Sequence, residues 1–138
     1  MTMHQANNTA NRDWMVADVA SVSGVRHVVV LSADGLLMAR SEGTGRDSAD
    51  RLSAACSGLQ SLAKGLGREF GSDSKAVIQQ MVEFDGGFLF MVAAGQGSYL
   101  AVVTSSAVDP QLIAQQMRVQ VNRIGSHLTS PPRQGVMP

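Results

Sequence analysis

Charge is scarce in this chain. Only 16% of its residues are Asp, Glu, Lys or Arg, against roughly 25% in an average soluble domain. The 11 acids balance the 11 bases, which argues against a nucleic-acid partner and against a polybasic membrane patch. Cysteine is nearly absent. Cys56 stands alone, which excludes an internal disulfide framework and any multi-thiolate metal site. His4, His27 and His127 are far apart and lack ligand spacing, so neither a metal nor another cofactor is expected. No apolar run approaches the length of a membrane span, and the polar segment Met1–Arg12 has no signal-peptide core, so a cytoplasmic protein without a transmembrane segment is expected. Catalytic signatures are missing too. There is no Gly-x-Ser-x-Gly elbow and no Gly-Lys-Ser/Thr phosphate loop, so the chain reads as no enzyme.

What is present suits one domain. The 138 residues have a mass of 14.5 kDa, a hydrophobic share of 44% and a mean hydropathy of +0.04, too apolar for a disordered chain. Mass scaling gives a folded surface of about 6,900 Å², enough to enclose a core without staples. The shortage of charge leaves less material to cover that core, mild evidence for surface hidden in a partner.

The pattern predicts a polar, flexible arm over residues 1–10 and a domain over 11–128. A Pro-rich, flexible tail follows over 129–138. A helix starts at Asn11, with Met15, Val19 and Val22 on one stripe, and ends at Gly24. Val25 to Ala33 is a buried strand, Asp34-Gly35 a hairpin turn, and Leu36 to Ser41 the returning strand. A long helix covers Arg46 to Phe70. Three strands then follow: Ala76–Phe84, Phe88–Ala94 and Tyr99–Thr104, joined by turns so short that neighbours must be antiparallel. Asp109-Pro110 starts the last helix, the Asp as N-cap and the Pro where its missing N–H costs nothing. Its apolar positions are Ile113, Met117, Val121, Ile124 and Leu128. The fold class is therefore α+β, in the order α-β-β-α-β-β-β-α, and strands apolar on both sides require cover on both faces of the sheet.

The long helix carries two patterns. Leu52, Ala55, Cys56, Leu59, Leu62, Ala63, Leu66 and Phe70 form an apolar stripe, which is expected to face the core. About 130° away, where Glu, Lys and Arg are usual, stand Ala54, Gly58, Ser61 and Gly65. Each glycine inside a helix costs about 0.8–1.0 kcal/mol relative to alanine. A row of small side chains lets a second helix approach closely, which motivates a helix–helix interface. Other features are bland. Gly43-Thr44-Gly45-Arg46 precedes a helix and could hold an anion, but it reads better as an ordinary flexible loop. Cys56 sits on the apolar stripe as a small core residue. Trp14 half-covers the core.

The element order resembles the Roadblock/dynein light chain family. The resemblance spans about residues 11 to 128 and rests on three features. They are the apolar strand Val28–Ala33 running through Asp34-Gly35 into Leu36-Leu37, the long Ala/Leu/Gly helix, and Tyr99–Thr104 before the last helix. It implies a five-stranded antiparallel sheet in the order 2-1-5-4-3, helices on both faces, and the long helix alone on one of them. It also implies a homodimer formed through that helix and the third strand, which acts on a Ras-like small GTPase or scaffolds its signalling complex. The expected dimer interface is Ala54, Gly58, Ser61 and Gly65 on the helix, with Val77, Ile78, Gln80 and Val82 on the third strand. Arg46, Asp50, Lys64 and Arg68 are expected at the partner-binding surface. A small-ligand sensor is the alternative, since a sheet covered on both faces can open a pocket.

Overall fold

The computed structural model describes residue 12 and residues 14–129. The expected Asn11 cap, the arm 1–10 and the tail from residue 130 onward lie outside the described residues. The elements are α1 (Trp14–Ala20), β1 (Val25–Ser32), β2 (Leu37–Arg40), α2 (Arg46–Phe70), β3 (Gln79–Phe84), β4 (Gly87–Gly95), β5 (Ser98–Ser105) and α3 (Pro110–Thr129). All five strands form one sheet in the order β2-β1-β5-β4-β3, and each pairing is antiparallel. That is the expected class and strand order.

Local chemistry explains most boundaries. α1 stops at Ala20, short of the expected Gly24, because Ser21 Oγ donates to the Asp18 carbonyl at 2.8 Å. The chain then tightens through three-residue turns, with Val22 N–H on Val19 O and Val25 N–H on Val22 O. In the β1–β2 turn Gly35 takes φ +88°, a region closed to most side chains. Asp109 caps α3 as expected, its Oδ1 accepting from Gln111 N–H at 3.0 Å.

The sheet separates two apolar layers. On one face α1 and α3 pack together over Val28, Val30, Phe90, Leu100 and Val102, contributing Met15, Val16, Val19, Ile113, Met117 and Ile124. Gln120 Nε2 donates to the Trp14 carbonyl, Arg123 pairs with Asp18, and the Arg123 guanidinium lies 5.6 Å from the Trp14 ring centroid. On the other face α2 lies alone over Val29, Leu31, Leu89, Met91, Tyr99 and Ala101.

One expectation for α2 is overturned. Its buried positions are Ala49, Ser53, Cys56 and Gln60, not the full apolar stripe. Of that stripe Cys56 is fully buried and Leu52 and Leu59 pack partly, whereas Leu62, Leu66 and Phe70 are 76%, 63% and 78% exposed. The sheet beneath already supplies bulky side chains, so the helix sits down on its small ones and the leucines turn to one flank. A second correction concerns β3, which begins at Gln79 rather than Ala76, leaving Val77 and Ile78 ahead of the strand. Pairing starts at Gln79↔Val92. The Gly67 Cα also approaches the Lys75 carbonyl so closely that a Cβ would meet its oxygen at 2.5 Å, which holds the 71–78 connection against α2.

Replacing Asp109 by Ala removes the α3 cap and lowers stability by about 1 kcal/mol. Urea unfolding should show this as a lower midpoint with an unchanged slope.

Candidate functional site

β3 lies at one edge of the sheet and exposes a row of backbone groups along its free side. Register fixes which side chains share the α2 face. Val82 stands opposite Leu89 and Gln80 opposite Met91, and both partners belong to the layer under α2. Gln80, Val82 and Phe84 therefore point to the α2 side of the sheet, and Met81 and Glu83 to the other. Val82 and Phe84 are 37% and 42% exposed, and Ile78, just before the strand, is 76% exposed. Ala63, Leu66 and Phe70 of α2 and Val77 and Met81 of the β3 region line one open depression. The exposed leucine flank and the β3 edge thus form one apolar surface, larger than the scattered single residues a monomer normally shows. Gln60 and Gln80 tie the two elements together, Gln80 Nε2 donating to Gln60 Oε1 at 2.9 Å.

The expected interface residues fall into two groups. Val77, Gln80 and Val82 line the depression of this surface, and Ile78 is exposed just ahead of the strand. Ala54, Gly58 and Ser61 are exposed and Gly65 is half-buried, on the side of α2 turned from the sheet. A Cβ on Gly58 would meet nothing within 4 Å, and one on Gly65 only the Arg68 Nη2 at 3.9 Å. Gly67 is explained by its contact with Lys75. Among the described residues nothing explains Gly58 or Gly65. The leucine flank was missed as a surface because its spacing matches that of a core stripe.

The four charged candidates are not brought together. Arg46 and Asp50 pair at 3.5 Å across one turn, both exposed, an arrangement worth less than about 1 kcal/mol. Lys64 and Arg68 lie about 27 Å further along the helix at 1.5 Å per residue. The glycine loop before α2 is used internally. Thr44 and Ser41 are buried, and their hydroxyls lie 2.6 Å apart. Val28 N–H donates to Ser41 Oγ, Arg40 Nη1 donates to the Thr44 carbonyl at 2.7 Å, and His27 Nδ1 lies 2.9 Å from Thr44 Oγ1. Gly45, the N-cap residue, makes no side-chain cap. Burial, then the neighbouring Arg26 charge, lowers the His27 pKa below the usual 6.5. Burial also pushes the Cys56 thiol up to about 11, so it stays protonated at neutral pH as an inert core group. No helix among the described residues is long and apolar enough to cross a membrane.

The sheet order, the lone long helix on one face and the paired helices on the other define a Roadblock-type domain. Residues 13–104 match the Roadblock/LC7 domain, and the chain belongs to that family. A Roadblock/LC7 domain from Streptomyces avermitilis is 33% identical, with a TM-score of 0.79 over 86% of this chain and 98% of that one. Myxococcus xanthus MglB shares the fold at 17% identity and a TM-score of 0.73, over 91% of this chain and 97% of that one. An MglB described with a tetrameric arrangement shares it at 13% identity and a TM-score of 0.75, over 87% and 91% of the two chains. No curated protein matches the sequence.

His27 gives the loop a pH dependence whose sign is fixed. The unfolded chain takes up the proton first, near pH 6.5, so stability is full above that pH and falls as the pH drops toward the lower folded-state value. His27→Gln should flatten this slope, read from thermal unfolding of both proteins across a pH series.

Proposed function

We propose that the chain is a non-enzymatic, homodimeric adaptor or regulator of a Ras-like small GTPase or of its signalling complex. The observation that carries the dimer is the apolar surface along the β3 edge and the α2 flank. Fully burying a Leu, Phe, Ile or Val side chain contributes about 1.5–3 kcal/mol, and six such side chains, Leu62, Leu66, Phe70, Ile78, Val82 and Phe84, stand exposed here. Pairing β3 with its symmetry mate satisfies the free edge, extends the sheet across a two-fold axis and sets the two leucine flanks against each other. The small row Ala54, Gly58, Ser61 and Gly65 borders that seam and lets the two α2 helices approach closely, which supplies the missing reason for its glycines. Leu66→Asp should leave the monomer folded and abolish the dimer in sedimentation equilibrium at micromolar concentration. Gly58→Leu should weaken the dimer less. A wild-type chain that sediments as a monomer overturns the assignment.

Family membership supports the regulatory role. The sequence offers no phosphate loop, so any dependence on GTP must come from the partner. The paired α2 helices present Arg46, Asp50, Lys64 and Arg68 to that partner twice over, and such charges govern association rate and salt dependence more than affinity. No arginine finger is assigned. Calorimetry of the dimer against a co-encoded Ras-like GTPase, loaded separately with GTP and GDP, should show saturable binding that differs between the two states. Absence of binding in both states at tens of micromolar would falsify the GTPase reading and leave the dimer standing.

A further inference from the structure

A concavity of about 360 Å³ opens on the flank of α2 opposite the leucines. Lys64 and Arg68, one helical turn apart, line it from α2, and Lys75 lines it from the 71–78 connection. Gln60, Val77 and Tyr99 contribute the rest of the lining that matters here. None of the three cations makes an ion pair among the described residues, where the pairs are Arg46–Asp50 and Arg123–Asp18. Three like charges around one hollow repel one another, and the repulsion is relieved when an anion enters.

Two further features prepare the hollow for such a guest. Gln60 is 7% exposed and spends its carbonyl oxygen on Gln80, while its amide nitrogen makes no hydrogen bond to another described residue and is not closed off from solvent. Lys75 has φ +57°, a backbone state uncommon for a side chain of this kind. The close approach of its carbonyl to Gly67 holds it there, so the lysine is kept at the rim despite backbone cost and like charge. Val77 and the ring of Tyr99, itself 8% exposed, provide an apolar wall beside the cations.

We propose that this concavity binds the phosphate group of a small phosphate ester, with Lys64, Arg68 and Lys75 around the anion, Gln60 as a neutral donor, and the ester's body against Val77 and Tyr99. Arg68 suits this role because its guanidinium donates two parallel hydrogen bonds to phosphate oxygens. The site shares Val77 with the depression beside the β3 edge and uses Lys64 and Arg68, two of the charges offered to the GTPase, but its test uses the chain alone and needs no GTPase.

Phenyl phosphate is the probe, titrated into the full chain and followed by amide chemical shifts. Saturable shifts confined to residues around Lys64, Arg68, Lys75 and Tyr99 are expected, with a Kd of about 1 mM or tighter. Phenol and sodium chloride at matched ionic strength should leave those signals in place. Lys75→Gly separates binding from folding, because glycine accepts the positive φ. It should unfold at the same or a higher temperature while binding falls about tenfold, the equivalent of one lost charge-assisted contact. Arg68→Gln should act likewise. Shifts that sodium chloride reproduces, or that persist unchanged in both variants, overturn the site.

Discussion

The close seating of α2 on the sheet is the constraint on which the remaining architecture depends. The sheet brings Leu31, Leu89, Met91 and Tyr99 up from below, so only small or slender groups fit between them and the helix axis. Ala49, Ser53 and Cys56 are those groups, each fully buried. A helix has a fixed angular spacing, and seating it on this face leaves the leucines at 62 and 66 roughly a quarter-turn or more away. They cannot reach the sheet of their own chain. The exposed apolar surface is thus a geometric result of how this core is filled, and it costs Ser53 as well, whose buried hydroxyl has no hydrogen-bond partner among the described residues.

Much of the fold was legible because its local and long-range signals agree. Asp34-Gly35, Asp85-Gly86 and Gln96-Gly97 each mark a tight turn with positive φ at its glycine, and between turns this short the strands have to be antiparallel. Asp109-Pro110 marked the last helix for reasons internal to two residues. The face of α2 was not legible. A row of Leu at helical spacing carries the same signature whether it meets its own sheet or another molecule, and the choice was made by the bulk of β1, β4 and β5, which lie distant in sequence. The start of β3 was hidden for a related reason, since Val77 and Ile78 are apolar and read as strand residues although pairing begins only at Gln79.

The glycines of α2 separate by the same reasoning. All three carry the same cost in an isolated helix, but Gly67 meets the Lys75 carbonyl whereas Gly58 and Gly65 meet open space or a mobile arginine end. Among the described residues one cost is offset and two are not. Residue type alone could not distinguish them, and the small row reads as one feature in the sequence although the folded chain gives a reason for only one glycine, which lies outside that row.

The two edges of the sheet are unequal, and this bears on which of them suits the proposed pairing with another copy. β2 has four residues, two of its side chains are tied or buried through Arg40 and Ala39, and the loop after it is locked to β1 by the Ser41, Thr44 and His27 contacts. Such a short edge offers few free backbone groups to a neighbour. β3 has six residues, its apolar side chains are exposed on both faces, and the leucine flank of α2 stands beside it on one of them. An edge that carries both free hydrogen-bonding groups and adjoining apolar area gains from pairing twice over, in the ladder and in the removal of Leu62, Leu66, Val82 and Phe84 from water. Pairing at β2 brings no such apolar flank. A two-fold contact through β3 would also consume the edge completely, so it would close at two copies rather than propagate.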